Sequence, residues 1–474
     1  MEIENKKLKL NYKNTILIGM AFFSITLLWT VYGQYCPQMV ERVLINMGMS
    51  KQETLLPVGV IMALDNALAL FMLPLFGTLS DKTKCSFGKR MIYIFPGMLA
   101  AAIVFPFVAI AFCIWDNVIW ILVALMGLVL IIMNIYRNPA VALMPDVTPK
   151  PLRSKANGII NFVGYVGGAI AGILAMIWPI AKDVNKNGVF EASELTPTNS
   201  IISFVIAAVF MLAAAIVLVL TIKENKLLKE NQKYMDEGEK QSETFADVEH
   251  GEKLSKTDKK NFILILLGVL FWYFSFNAIE SFASLFCPNI LGGNYNGMIV
   301  IVLTVSSLIS FILLLNLPAK IGRKWTVLLG IGLMIFAFVG IIITLFVNGV
   351  FKSDYTPGDW SKKVYIIYAF VAFIGIGWAL INANSYPMIV ELASGKNVGK
   401  YTGYYYTFAM VAQTLTPILS GAWMTFDPTG SGLKLLFIYS LIMIVIAGVV
   451  MLFYTEKKKV IKKSKIGFES LDND

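Results

Sequence analysis

Residues 223–260 read KENKLLKENQKYMDEGEKQSETFADVEHGEKLSKTDKK and hold only two aromatic side chains, Tyr234 and Phe245. So polar a stretch has no apolar face large enough to bury, and it reads as a solvated linker able to form helix in part. On either side the composition changes abruptly. Upstream lie six mostly apolar runs, 14–35, 55–79, 91–115, 118–143, 156–180 and 200–222. Downstream lie six more, 261–286, 297–317, 325–347, 364–390, 401–425 and 433–454. Each reaches the roughly 20 residues that a helix needs to cross a bilayer. The first run is too long for a signal-peptide core and has no small-residue cleavage site, so it reads as a retained helix. The linker thus separates an N-terminal six-helix half, 1–222, from a C-terminal one, 261–454, with a basic tail at 455–474. The expected class is an all-α membrane protein of twelve transmembrane helices in two six-helix halves, an architecture recurrent among transporters.

Composition agrees. Of 474 residues, 57% are hydrophobic and 15% charged, against about 25% charged in a soluble domain. The formal net charge is +10, which in isolation would suit a nucleic-acid binder. Its distribution argues otherwise. With both termini inside, 31 of the 40 Lys and Arg fall in cytoplasmic segments and 8 in external loops, leaving Arg137 within a span. That asymmetry is the positive-inside signature, and it needs no anionic partner. The four cysteines, Cys36, Cys85, Cys113 and Cys287, form no CxxC pair, and His250 is the only histidine. Histidine relays, His-based metal sites and catalytic triads are therefore unavailable, and no enzymatic activity is expected.

Ionisable groups within a span cost about 2.5–3.5 kcal/mol each on insertion scales, so each marks a functional candidate. Asp65 lies fourteen residues from the inner end of the second span, about 21 Å deep. Arg137 lies in the inner half of the fourth span, and Glu280 in the outer half of the seventh. Asp65 and Glu280 are the candidate cation-coupling carboxyls, with Arg137 as their electrostatic partner. For a hydroxylated substrate, the seventh span aligns Tyr273, Asn277, Glu280 and Ser284 on one helix face, and the tenth aligns Trp378, Asn382 and Ser385. The eleventh aligns Thr402, Tyr406 and Gln413, and the first offers Trp29 and Tyr32. Mid-span amides discriminate best, because in lipid they need a partner. The stripe Gly164, Gly168, Gly172 in the fifth span reads as a packing surface.

The stretch 77–90, GTLSDKTKCSFGKR, follows the second span, and a weaker echo, PAKIGRK at 318–324, follows the eighth. It resembles the loop signature of the major facilitator superfamily in its longer form, with Gly77, Asp81, Gly88 and Arg90 at the signature positions. These residues, with Asp146, make a candidate breakable latch. The fourth span ends YRNPAVALMPDVTP at 136–149, and the tenth holds GIGWALINANSYP at 375–387. Together with the long loop these look like the glycoside–pentoside–hexuronide:cation symporter family, closest to its sucrose/maltose-type, proton-coupled branch. The resemblance covers all twelve spans and implies the major facilitator fold, a sugar substrate and a coupling cation. It also puts Asn134 where other members carry an acidic sugar ligand. Two departures count against sodium. The second span holds one aspartate, Asp65, where melibiose-type members have a pair, and 401–425 holds Gln413 but no lysine. A proton is thus favoured over sodium.

Residues 183–194, DVNKNGVFEASE, match the twelve-residue calcium loop. Asp183, Asn185, Asn187, Glu191 and Glu194 supply ligand oxygens, Val189 its carbonyl, and Gly188 the turn. Structural Ca²⁺ in this external loop is a candidate, and no cofactor is otherwise required. The expected protein is a monomeric, multi-pass sugar importer of the plasma membrane, its partners a small sugar, H⁺ or Na⁺, and lipid. The alternatives are a facilitator-fold exporter of hydrophobic compounds and a transporter-like nutrient sensor.

Overall fold

The structure, a computed structural model, describes residues 9–180, 196–246, 255–314, 317–358, 360–392, 398–429 and 432–455. The calcium-loop motif at 183–194 lies outside them. Fourteen α-helices make up the described chain, and it holds no strand. They are α1 (Tyr12–Asn46), α2 (Lys51–Lys82), α3 (Met91–Ile114), α4 (Ile119–Val147), α5 (Arg153–Ile177), α6 (Pro197–Thr221) and α7 (Glu224–Ala246). They continue as α8 (Lys256–Leu291), α9 (Asn296–Leu313), the short α10 (Leu317–Ile321), α11 (Arg323–Val347), α12 (Val364–Leu392), α13 (Val398–Met424) and α14 (Leu436–Leu452). The N-cap side chain closes the helix start at α1, α2 and α8. Ser50 and Glu53 form a capping box at α2, and Ser255 caps α8 through the Asp258 amide.

Among the described residues, eleven helices are long and apolar enough to cross a membrane. The sequence predicts twelve. The helix that falls short is α13: its 27 residues span about 40 Å, but its Tyr, Thr and Gln side chains dilute its hydropathy. It packs against α2 and α8, while Tyr404 and Tyr406 stay exposed. Two helices also outrun their predicted spans. The first continues from the expected 35 to Asn46, and α8 runs five residues past 286 to Leu291. Hydropathy ends the first span early because Gln38 and Glu41 are polar, yet both are buried in the fold.

The helices pack in two groups. In the first, α1 lies against α5 and α6, α3 against α4 and α6, and α2 against α4. In the second, α8 lies against α14 and α13, α9 against α12, and α11 against α12 and α14. The main junctions between groups are α2 with α13, α5 with α9, and α1 with α8. All three are knit at the same end of the bundle. Asn289 donates to Glu41 at 3.1 and 3.2 Å, Asn296 to Gln34 at 2.9 Å, and Gln52 to the carbonyl of Thr425 at 2.6 Å. Glycines permit close approach there: a Cβ on Gly172 would stand 2.9 Å from the Gly297 carbonyl oxygen, and one on Gly59 would fall closer still to that of Pro417. The opposite end carries the Arg90 and Arg323 clusters.

Candidate functional site

The three ionisable side chains of the spans converge from different helices. Asp65 comes from α2, Arg137 from α4 and Glu280 from α8, and Arg137 lies within electrostatic reach of both carboxyls. Asp65 is buried, whereas Glu280 is exposed although far from either end of α8. The Glu280 carboxyl is thus accessible deep along α8, beside Arg137 of the other helix group. No ion pair within 4.0 Å joins Arg137 to Asp65 or Glu280 among the described residues. The guanidinium instead lies over the Trp29 ring, with Cζ 4.6 Å from its centroid. Trp29 is in turn within hydrogen-bonding reach of Glu280. In the sequence Trp29 is one stacking face among many; its place between the two charges appears only in the fold.

Around this trio several buried polar atoms have no protein partner: Asp65 Oδ1, Tyr32 Oη, Asn277 Nδ2 and Ser284 Oγ. An unsatisfied buried donor or acceptor costs about 1–3 kcal/mol, so this region is built to bond something that is not protein. Tyr32 lies beside Asp65. On the α8–α12 side, the Phe276 and Trp378 rings are stacked at 3.8 Å with an interplanar angle of 1°, and Tyr273 meets Trp378 edge-on at 5.1 Å. Tyr273 Oη donates to Asn382 Oδ1 at 3.3 Å, and Asn382 Nδ2 donates to the Trp378 carbonyl at 3.2 Å. Tyr273, Asn277, Trp378 and Asn382 are thus brought together on one wall.

Two of the sequence candidates stand elsewhere. Asn134 is fully buried, its amide nitrogen donating to the Leu130 carbonyl at 3.0 Å. Gln413 sits where α13 meets α2, and its carbonyl accepts from Asn66 at 3.4 Å. Neither belongs to the Tyr273–Asn382 wall. Asn134 lies three residues before Arg137, on the same face of α4, and its Oδ1 has no hydrogen-bond partner among the described residues.

The loop residues do assemble. Arg90 is 4% exposed. Its guanidinium binds Asp146 at 2.9 Å, as well as Asp81 and Ser80, and Lys89 reaches Asp146 at 3.0 Å. Burial opposes the Arg90 charge, but Asp146 and Asp81 outweigh it and hold its pKa above the ordinary value. Gly77 lies against the Asn138 side chain. Gly88 has φ +118°, and its Cα faces the Glu224 carboxylate. That carboxylate, from α7, accepts the backbone N–H of Arg90 at 3.0 Å and of Met91 at 2.9 Å. It caps α3, whose own N-cap residue makes no side-chain bond. Burial pushes the Glu224 carboxyl up, opposed by those two N–H bonds. In the second group Arg323 binds Glu391 at 2.9 Å, so the acid absent from the 318–324 echo arrives from the end of α12.

These features define a multi-pass membrane protein with a polar, charged centre between two helix groups. The model of the MFS/sugar transport protein family matches residues 54–426, and the chain belongs to that family. No curated protein matches it. Among solved structures it resembles a bacterial homologue of the human lysosomal transporter Spinster in an inward-facing, occupied conformation. The TM-score is 0.62 at 15% identity, covering 94% of this chain and 97% of that one. A POT family transporter in complex with 5-aminolevulinic acid gives 0.62 at 12% identity, covering 94% and 97%. The nucleoside transporter NupG gives 0.58 at 15%, covering 93% and 100%. At such identities the likeness is one of fold. The protein is a membrane transporter for small molecules and not an enzyme.

Proposed function

We propose that the protein imports a di- or oligosaccharide by cation symport, with a proton favoured over sodium, through alternating exposure of a central cavity between two six-helix halves. In this reading α13 is the eleventh of twelve spans. The observation that carries the proposal is the meeting of Asp65, Arg137 and Glu280 beside a wall of amides and aromatic rings. Two ionised carboxyls and one guanidinium leave a net charge of −1. Adding one proton brings the site to zero, and a neutral site can be closed off from water without the cost of burying an uncompensated charge. The substrate then completes the unsatisfied donors and acceptors around Asn277 and Tyr32, so that loaded closure is favoured over closure with the proton alone. A lone aspartate on α2 offers sodium a poor cage, which supports the proton.

The Lys/Arg-rich end is read as cytoplasmic by the positive-inside rule, with both termini inside and the plasma membrane as location. The Glu41–Asn289 and Gly172–Gly297 junctions then close the external side, and the conformation is inward-facing. The closest sugar reading follows the sucrose/maltose-type branch. The external 183–194 motif is retained as a structural calcium site, tested by calcium titration of wild type and Glu194→Ala.

Uptake into proteoliposomes over a sugar panel, with imposed proton or sodium gradients, tests the function. Uptake driven by a proton gradient and abolished in Asp65→Asn is expected. Uptake indifferent to both gradients, and unchanged in Asp65→Asn, would sink the symport reading.

A further inference from the structure

The ring pair at the central wall does not stand alone. From Phe276 and Trp378 the contacts continue through Tyr273, whose hydroxyl lies within hydrogen-bonding reach of Tyr405. Tyr405 meets Tyr406 at 5.3 Å and Tyr386 at 5.6 Å, and Tyr386 meets Tyr406 at 5.9 Å. From Trp378 to Tyr386 is eight residues of α12, about 12 Å along its axis. The direction is towards the end where Glu391 binds Arg323, which is the open end of the cavity.

Two properties separate this row from ordinary helix packing. First, it is partly presented rather than buried. Tyr406 is 53% exposed although two other rings hold it in place, and Tyr273, Trp378 and Tyr386 are half-buried. Second, its rings alternate apolar faces with polar edges. Four of the six carry a hydroxyl, and Asn382 and Thr402 stand beside them, with Tyr386 Oη 3.4 Å from Thr402 Oγ1. Apolar ring faces beside hydroxyl and amide edges match the C–H faces and hydroxyls of a sugar.

We infer that this aromatic track is an extended subsite, running from the central wall towards the charged end, that takes a flat, stackable second unit of a glycoside. The inference rests on the sugar reading proposed above and deepens it. The unit joined to the central sugar is a second pyranose, which lays its C–H face on the rings, or an aryl aglycone, which stacks on them. A methyl glycoside fills only the central wall. A longer glycoside gains the Tyr386–Tyr406 rings as well, and loses them on truncation to leucine.

The test measures inhibition constants in proteoliposomes for methyl and p-nitrophenyl glucosides and galactosides, with maltose and lactose, on wild type, Tyr386→Leu, Tyr406→Leu and Tyr406→Phe. In the leucine variants the preference for the longer ligand over the methyl glycoside should fall about tenfold, the value of one aromatic stacking contact. Tyr406→Phe should retain it. Loss confined to p-nitrophenyl glycosides assigns the track to an aryl aglycone, and loss confined to disaccharides assigns it to a second pyranose. A preference that is unchanged, or equal loss for every ligand, would overturn the track while leaving sugar transport intact. Wild type indifferent to every glycoside would instead overturn the sugar reading itself, and the track with it.

Discussion

Trp29 touches both sides of the charge centre: Arg137 lies over its ring, and Glu280 lies within reach of its N–H. Trp29→Phe should keep the ring beneath the guanidinium and lose the N–H, whereas Trp29→Leu should lose both. Cation–π contacts of this kind are worth about 0.5–2 kcal/mol, so the leucine variant should be about tenfold slower than the phenylalanine variant in proton-driven uptake. Equal rates would show that Arg137 does not depend on the ring. Asp65→Asn belongs at the same scale. It should abolish uphill uptake but leave exchange of labelled for unlabelled sugar, because exchange needs no net proton movement; loss of both would point to a substrate or folding role. Asp65, Arg137 and Glu280 are legible in the sequence because an ionisable group in an apolar run is rare and costly. Trp29 is not, since aromatic residues are abundant in this chain, with 9 Trp, 19 Tyr and 32 Phe.

At the scale of single helices, α7 is the unexpected contributor. The polar linker reads as solvated, yet Glu224, the first residue of α7, is fully buried and caps α3, and Asn225 donates to the Ser86 carbonyl at 2.8 Å. Asn231 further donates to the Val147 carbonyl at 2.9 Å, so α7 ties both loops of the first helix group. Glu224→Ala should therefore cost about 1 kcal/mol, the usual value of a helix cap, read as a lowered Tm in detergent. An unchanged Tm would mean that the loop holds without it. The pH dependence has a definite sign. Burial holds the carboxyl above its ordinary value, so its protonated form is favoured by folding. That increment is present in acid and is lost as pH rises through the carboxyl's folded range. Glu224→Gln should flatten this part of the stability profile. None of this is legible locally, because the cap joins residues 134 positions apart.

For the whole molecule, the hydrogen bonds that join the two helix groups gather towards one end, with Asn66–Gln413 reaching the middle. Gly172→Leu would force a side chain against the Gly297 backbone and Ile301, and overpacking of this kind costs about 1–3 kcal/mol. It should shift the protein towards opening at that end. Cys36 and Cys287, both fully buried on α1 and α8, report on it. In a Cys85→Ser, Cys113→Ser background, Gly172→Leu should raise their maleimide labelling about tenfold, corresponding to about 1.4 kcal/mol. Unchanged labelling would mean that this junction does not hold the end closed. By itself the sequence determines the membrane class, the approximate positions of the helices and the few ionisable groups within the apolar runs. These follow from run length, local polarity and the cost of charge in lipid, all properties of neighbouring residues. Only the tertiary structure decides that three of those charges come within electrostatic reach of one another, that polar α13 packs against α2 and α8, and which ends of the helices join the two groups. Those outcomes depend on contacts between residues far apart in the chain, such as Glu41 and Asn289, separated by 248 positions, and no local pattern encodes which surfaces will meet.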